Sequence, residues 1–335
     1  MTPGGDPDFV DALVERAALK PRRILFPEGS DPRVVAAAAS LVRDQAARPV
    51  LLGDPTDVQA ALRAEGGGDG IEVLDVADGA LIDRTAAHLA ARRAGKSDPP
   101  DRIAQWAADP LHQAAGLVAR GEADGVVAGC VRTTADVVRA ALVGIGLADD
   151  ISTLSSAFYM ALPATSPLGP GVLTFTDAGV VPVPDVDALV DIAASAARAR
   201  RRIVGDEPRV AFLSYSTKGS ADGPAVTPVR EAAERFRVRM PEVPSDGELQ
   251  GDAALSRRVS DRKSPGSPVA GNANVLVFPD LDAANIAYKL VQYLAGAIAL
   301  GPVLQGLRAP MNDLSRGASA EDVRLVACIT ALMAS

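Results

Sequence analysis

The stretch RRILFPEGSDPRVVAAAASLVRDQAARPVLLG, residues 22–53, sets two short apolar runs on either side of an Ala-rich helical pattern. RRILFP (22–27) and RPVLLG (48–53) read as strands and DPRVVAAAASLVRDQ (31–45) as the helix between them. This β-α-β rhythm points to a parallel sheet. It recurs along the chain, with further strands expected at IEVLDV (71–76), ADGVVAG (123–129), VLTFTD (172–177), RVAFLS (209–214) and NVLVFPD (274–280), each bounded by Gly, Pro or Asp. In open parallel sheets ligands bind outside the carboxyl ends of the strands. The loops PEGSDPR, AGCVRTTAD, YSTKGSADG and FPDLDAAN are therefore where chemistry is to be sought, while GGGDG (66–70) and KSPGSP (263–268) read as surface turns.

A chain of 335 residues exceeds the roughly 250 to 300 residues at which single cores stop growing, so two α/β domains with a cleft are expected. The breaks fall near 144–150 and 296–301, giving a first domain of residues 1–146 plus 297–335 and a second of 147–296. The net charge of -8 disfavours a nucleic acid partner and favours a small ligand. Cys130 and Cys328 have no metal-ligand spacing and read as reduced, largely buried thiols. The N-terminal segment has no apolar signal core, and no window reaches the roughly 18 apolar residues of a membrane span. A soluble, cytoplasmic protein is expected.

Histidine chemistry is nearly excluded, because His88 and His112 both lie inside Ala-rich helical patterns. No HExxH, CxxC, GxSxG or Walker motif is present, and GIG at 144–146 follows a helical pattern without the third glycine of a dinucleotide fingerprint. What remains in the loops is Arg, Ser, Thr and Asp, a set suited to anion binding plus one proton transfer. Thr133 and Thr134 precede a helix that carries Asp136 and Arg139. They either bind an anion with free backbone N–H groups or merely cap the helix. Ser214, Ser216, Thr217, Lys218 and Ser220 form another phosphate-friendly loop or a surface turn. Arg92, Arg93 and Lys96 follow a helical pattern, at whose C-terminus cations are favoured in any case. In NDLSRGASAEDVR (312–324), Ser319 and Asp322 read as a variant capping box. That leaves Ser315, Arg316 and Gly317, a turn able to hold an anion or a developing oxyanion.

Together these segments resemble the phosphate acetyl/butyryl transferase family from about Arg23 to the C-terminus. The resemblance is carried, in the family's order, by LFPEGSDPRVVAAAA, ADGVVAGCVRTTADVVRAAL, FTDAGVVPVP, VAFLSYSTKGSA, DGELQGDAA, SPVAGNANVLVFPDLDAANIAYKLVQ and GPVLQGLRAPMNDLSRGASAEDV. It implies reversible acetyl transfer, acetyl-CoA + phosphate ⇌ acetyl phosphate + CoA, with coenzyme A as substrate and neither metal nor cofactor. It also implies two α/β domains related to the isocitrate/isopropylmalate dehydrogenase fold, an active site in the interdomain cleft, and a homodimer. Carried over residue by residue, Ser315, Arg316 and Asp322 fall on the family's active-site motif. Arg139 falls on an arginine of the TTAD segment, Arg93 on the arginine before a lysine-containing turn, and Thr133 and Thr134 on the phosphate-side loop. The chain departs at Arg132, where the family commonly has His, and at Ala318, where it commonly has Cys. Cys130 stands at a position usually filled by a small residue and is a poor acyl-carrying nucleophile.

No histidine in the motif is available to activate Ser315, so direct attack by the CoA thiol is expected. Asp322 is then the base, provided burial raises its basicity. Arg316, Ser315 and backbone N–H groups would stabilise the oxyanion. Arg139, Arg93 and the Thr133/Thr134 loop would hold the phosphate oxygens. A phosphate butyryl or propionyl transferase and a non-catalytic regulatory domain of the same fold are the alternatives. A metal-dependent decarboxylating dehydrogenase would need a cluster of aspartates and a nicotinamide site that are not found in the sequence.

Overall fold

The computed structural model describes residues 7–334; residues 1–6, part of the segment searched for a signal core, lie outside them. The opening β-α-β unit is formed by β1 (Arg22–Phe26), the helix Pro32–Arg43 and β2 (Ala47–Gly53), with β1 and β2 parallel. Asp31 caps the helix through the Arg33 N–H, and Pro32 occupies the first turn, where a missing N–H costs no intrahelical bond. Along β1 the side chains alternate. Ile24 and Phe26 enter one apolar cluster with Val34, Val35 and Leu41, and Leu25 enters another with Leu111, Ala114 and Val126. A strand covered on both faces reads as an unbroken apolar run, as RRILF does.

With β3 (Glu72–Asp75), β4 (Gly125–Ala128) and β11 (Met311–Asp313) these strands make a five-stranded parallel sheet in the order β11-β4-β1-β2-β3. The order reverses between β1 and β4, so the loops following those two strands flank the kind of switch point at which open α/β sheets bind ligands. The helix Ala320–Met333 fastens β11 from one face: Asn312 Nδ2 donates to Thr330 Oγ1 at 2.8 Å, and that hydroxyl donates to Val326 O at 2.7 Å. Close approach of this helix to β4 needs Gly125, where a Cβ would lie 2.4 Å from Thr330 Cγ2. This sheet belongs to a compact unit of residues 11–148 and 307–334.

Residues 149–306, with residues 7–10, form the other unit. Its strands are β5 (Ser155–Leu162), β6 (Gly171–Thr176), β7 (Val210–Leu213), β8 (Ser245–Leu249), β9 (Val275–Val277) and β10 (Ile298–Gln305), arranged β10-β5-β6-β9-β7-β8. The expectation of parallel strands needs correction here. β6, β9, β7 and β8 are parallel, but β5 runs antiparallel to both β6 and β10. The reason is the connection PATSPLGP (163–170), which contains no helix to carry the chain back across the sheet. The break expected at 297 also moves. Residues 298–305 form β10 on the edge of β5, so the return to the first sheet begins at Leu307. Gly296, left-handed with φ 69°, stops the helix Leu281–Ala295; it ends an element and not a domain. In this unit the hydroxyl-rich loop after β7 is engaged internally. Ser216 Oγ donates to Glu248 Oε1 at 3.0 Å, Ser220 Oγ accepts from Thr217 N–H at 2.9 Å, and Lys218 pairs with Asp246. Among the described residues no helix is long and apolar enough to cross a membrane.

Candidate active site

Three loops leave the carboxyl ends of β1, β4 and β11, and each is bonded to another. Glu28, two residues past β1, accepts four consecutive backbone N–H groups of the loop after β4. Its Oε2 takes Gly129 at 3.0 Å and Cys130 at 2.8 Å, and its Oε1 takes Val131 at 3.0 Å and Arg132 at 2.7 Å. Such a run of amides is a nest for an anion, and here a carboxylate of the chain itself fills it. The N–H groups at 129–132 are thereby taken by Glu28 and are not open to a ligand. Gly129 has φ 104°, and a Cβ on it would lie 2.6 Å from both Leu314 N and Leu314 O, so the nest is pressed against the loop after β11.

Thr134 makes the second tie, its hydroxyl donating to Asp313 Oδ2 at 2.6 Å. Asp313 is 1% exposed and its Oδ1 has no partner among the described residues. Burial pushes its carboxyl up to about 6; the Thr134 hydrogen bond opposes the shift, and the charge of Glu28 adds to it. Arg33 makes the third tie, donating to the carbonyls of Arg316 at 2.7 Å, Ala318 at 3.1 Å and Cys130 at 2.8 Å. Glu28, Arg33 and Asp313 were not singled out from the sequence. Their signal was positional, since two lie in PEGSDPR and the third in NDLSRG, segments already marked as strand-end loops or motif.

The motif itself is exposed. Ser315, Arg316 and Gly317 form a turn in which Ser315 Oγ accepts the Gly317 N–H at 3.2 Å. No described residue accepts a hydrogen bond from the Arg316 guanidinium. Ser319 and Asp322 make the full capping box of the helix Ala320–Met333. The Ser319 N–H and hydroxyl both donate to Asp322 Oδ2 at 2.8 Å, and the Asp322 N–H returns to Ser319 Oγ at 3.2 Å. Asp322 Oδ1 takes no bond from the described residues. Asp322 is exposed, so the burial expected around it is not provided within its own unit.

The remaining candidates divide. Thr133 is the N-cap of the helix Thr134–Ala140, bonded through Oγ1 to Asp136, and Arg139 donates to that same Asp136 at 3.1 Å. These residues share one short helix with Thr134 and so stand beside the motif. Arg93 does not: it caps the C-terminus of the helix Gly79–Arg92, its Nε bonded to Asp98 at 2.5 Å, and no hydrogen bond or ion pair among the described residues joins it to the motif. The thiols of Cys130 and Cys328 are buried, and burial pushes each up to about 12, which makes both poor nucleophiles. Both histidines are held by structural bonds, His88 against Gly144 O at 2.8 Å and His112 against Asp109 at 2.6 Å. No group of three or more His, Cys, Asp or Glu suited to a metal ion occurs among the described residues.

A family model described as Phosphate acetyl/butaryl transferase matches residues 8–331. A phosphate acetyltransferase from Paracoccus denitrificans is 43% identical over 323 residues, spanning 96% of this chain and 98% of its own. One from Acetivibrio thermocellus is 40% identical over 326 residues, spanning 97% and 98%. Among solved structures, a phosphotransacetylase from Streptococcus pyogenes matches with a TM-score of 0.90 at 38% identity and 97% coverage of each chain. The EutD phosphotransacetylase from Staphylococcus aureus matches at 0.88 and 37%, covering 97% of this chain and 98% of its own. Sequence likeness over almost the full length and the same fold at that identity lead to one conclusion: the chain belongs to the phosphate acetyl/butyryl transferase family.

Proposed function

We propose that the chain is a phosphate acetyltransferase acting by direct thiol attack, with Ser315, Arg316 and Asp322 as its reacting face. Supporting this is the contrast among the arginines of the resemblance. Arg139 and Arg93 are each bonded to a carboxylate, whereas the Arg316 guanidinium has no acceptor among the described residues and is presented by a turn that Arg33 ties to the loop after β4. In the direction of thioester formation, Asp322 Oδ1 takes the proton of the CoA thiol, whose thiolate form the nearby positive charge of Arg316 favours. The sulfur attacks the acetyl carbonyl of acetyl phosphate. The resulting oxyanion is met by the Arg316 guanidinium and the Ser315 hydroxyl. Collapse breaks the bond between the acetyl carbon and the phosphate oxygen, phosphate leaves with the electron pair, and the proton held by Asp322 passes to the departing phosphate, directly or through water. Thr133, Thr134 and Arg139 are the phosphate-side groups. The Arg139–Asp136 pair is exposed on the arginine side (54%), so exchanging it for phosphate costs little. Arg93, fixed to a largely buried Asp98, has weaker support in that role.

Two further features belong to this reading. The net charge of -8 suits small substrates and not nucleic acid, and both cysteines are free thiols, as in a reducing cytoplasm. A homodimer is supported by the helix Leu281–Ala295, whose Ile286, Leu290, Tyr293 and Leu294 are exposed at helical spacing.

The test is acetyl-CoA formation from acetyl phosphate and CoA without added metal. Arg316→Ala is expected to lose about 10²- to 10³-fold in kcat, the effect of removing one oxyanion donor, with the fold intact by circular dichroism. Near-normal turnover in that variant rejects the assignment. Asp322→Asn keeps the cap but removes the base; if it retains full activity, Asp322 is a cap and nothing more.

A further inference from the structure

The turn that presents Arg316 has little to hold it from within. Beyond the Gly317 N–H bond to Ser315 Oγ, its own support is the Ala318 N–H donating to Ser315 O at 2.8 Å. Ser315, Arg316 and Gly317 are all exposed, so packing does not fix it either. What fixes it is the guanidinium of Arg33. Nε and one N–H of Nη2 grip the two oxygens of Asp31 at 3.0 and 2.8 Å. Nη1 donates to Arg316 O at 2.7 Å and Ala318 O at 3.1 Å, and the second N–H of Nη2 reaches Cys130 O at 2.8 Å. A guanidinium carries five N–H groups in one plane, and here each has an acceptor. None is left for a substrate oxygen, which separates Arg33 in kind from Arg316. Asp31 is immobilised in turn, because it caps the helix Pro32–Arg43 by accepting the Arg33 N–H at 2.9 Å.

We propose that Arg33 is a positioning residue for acetyl transfer: by holding the carbonyls on both sides of Gly317, it sets the direction in which the Arg316 side chain leaves the backbone. The same plane binds Cys130 O, so the loop after β4 and the turn after β11 are set against each other by one rigid group. Lysine cannot do this. Its three donors radiate from a single nitrogen and cannot span the Asp31 carboxylate together with carbonyls on two separate backbone segments. The proposal rests on the reading of Arg316 as the oxyanion partner, and its test separates the two.

Wild type, R316A, R33A, R33K and R33A/R316A are compared by kcat and KM for CoA and acetyl phosphate, with thermal midpoints recorded for each. R33A is expected to lose about 10²-fold in kcat, the scale of an ångström's misplacement of a catalytic group, while both KM values change by less than about threefold. R33K loses comparably. Added guanidinium ion restores part of the R33A turnover and none of the R33K turnover. Adding R33A to R316A lowers kcat by less than about threefold more, because residues acting through one another are not additive. Unchanged kcat in R33A, or in a folded R33K should R33A fail to fold, overturns the proposal. So does a loss that multiplies in full onto that of R316A. Near-normal activity in R316A alone instead rejects the underlying site reading, and the proposal falls with it.

Discussion

Asp313 is the residue at which stability and site geometry pull in opposite directions. It is buried, its Oδ1 is unpartnered, and its one side-chain donor is the hydroxyl of Thr134. The groups that face it, Glu28 and Cys130, offer no positive charge. With the folded carboxyl pushed up to about 6 from an ordinary 3.8, the sign follows directly. Below pH 4 both the folded and the unfolded chain carry the proton. Between 4 and 6 the unfolded chain ionises first, so stability falls as pH rises, and above 6 the loss is complete, on the order of 3 kcal/mol. Asp313→Asn cannot ionise. Measured against wild type by urea denaturation, its relative stability is expected to rise by about that amount between pH 4 and pH 8, whatever static cost the amide adds. Parallel pH curves for the two proteins would contradict this. The sequence marked this position only as part of a motif, because nothing in NDLSRG distinguishes a buried aspartate from the exposed one at 322. Burial is set by the approach of Gly129, 184 residues earlier in the chain.

At the scale of elements, the site is a set of three strand-end loops, and their ties determine its shape more than the helix ends do. Glu28 closes the nest of residues 129–132 with four charge-assisted bonds. Gln in its place has one accepting oxygen and an amide that meets N–H with N–H. Glu28→Gln is therefore expected to cost about 2 to 3 kcal/mol, the price of leaving buried or half-buried donors unpaired. It should also loosen the loop enough for faster amide hydrogen exchange at 129–132. An unchanged denaturation midpoint with unchanged exchange would show that the nest holds without the carboxylate. The same comparison explains which elements were legible. β1, β2 and β4 are buried on both faces and read as apolar runs, and Ser319 with Asp322 forms the capping box that the spacing implied. β8 was missed because SDGEL has no apolar periodicity, although all five residues are buried. β10 was missed because Gly301 and Pro302 interrupt it, and the sheet register shifts at that point. Local pattern cannot reveal a strand whose burial comes from its neighbours.

For the whole molecule, the two α/β units were foreseen from length and strand rhythm, but which sheet received residues 298–305 depended on pairing with β5, a contact that sequence spacing does not encode. That assignment places the helix Leu281–Ala295 squarely within the second unit, immediately before the edge strand β10. One face of this helix supplies Ala284, Ala287, Tyr288 and Val291 to the core. The other face leaves Ile286 58%, Leu290 52%, Tyr293 83% and Leu294 81% exposed. A helix that is apolar on two faces is buried on both in its working state, and a stable self-association needs about 800 Å² per partner, which a four-residue stripe on a 15-residue helix can centre but not supply alone. A second copy of the chain meets the requirement most simply, since a two-fold axis lets the same patch pair with itself. The double variant Leu290→Glu and Tyr293→Glu places two like charges on each copy, facing their counterparts across such an axis. Light scattering is expected to give 34.4 kDa for the variant and twice that mass for wild type. The stripe lies in the unit that does not carry the Ser315–Arg316 turn, so the monomeric variant should retain Arg33, Arg316 and Asp322 in their bonded arrangement. If wild type is itself monomeric at micromolar concentration, the stripe has another partner and the dimer reading is withdrawn.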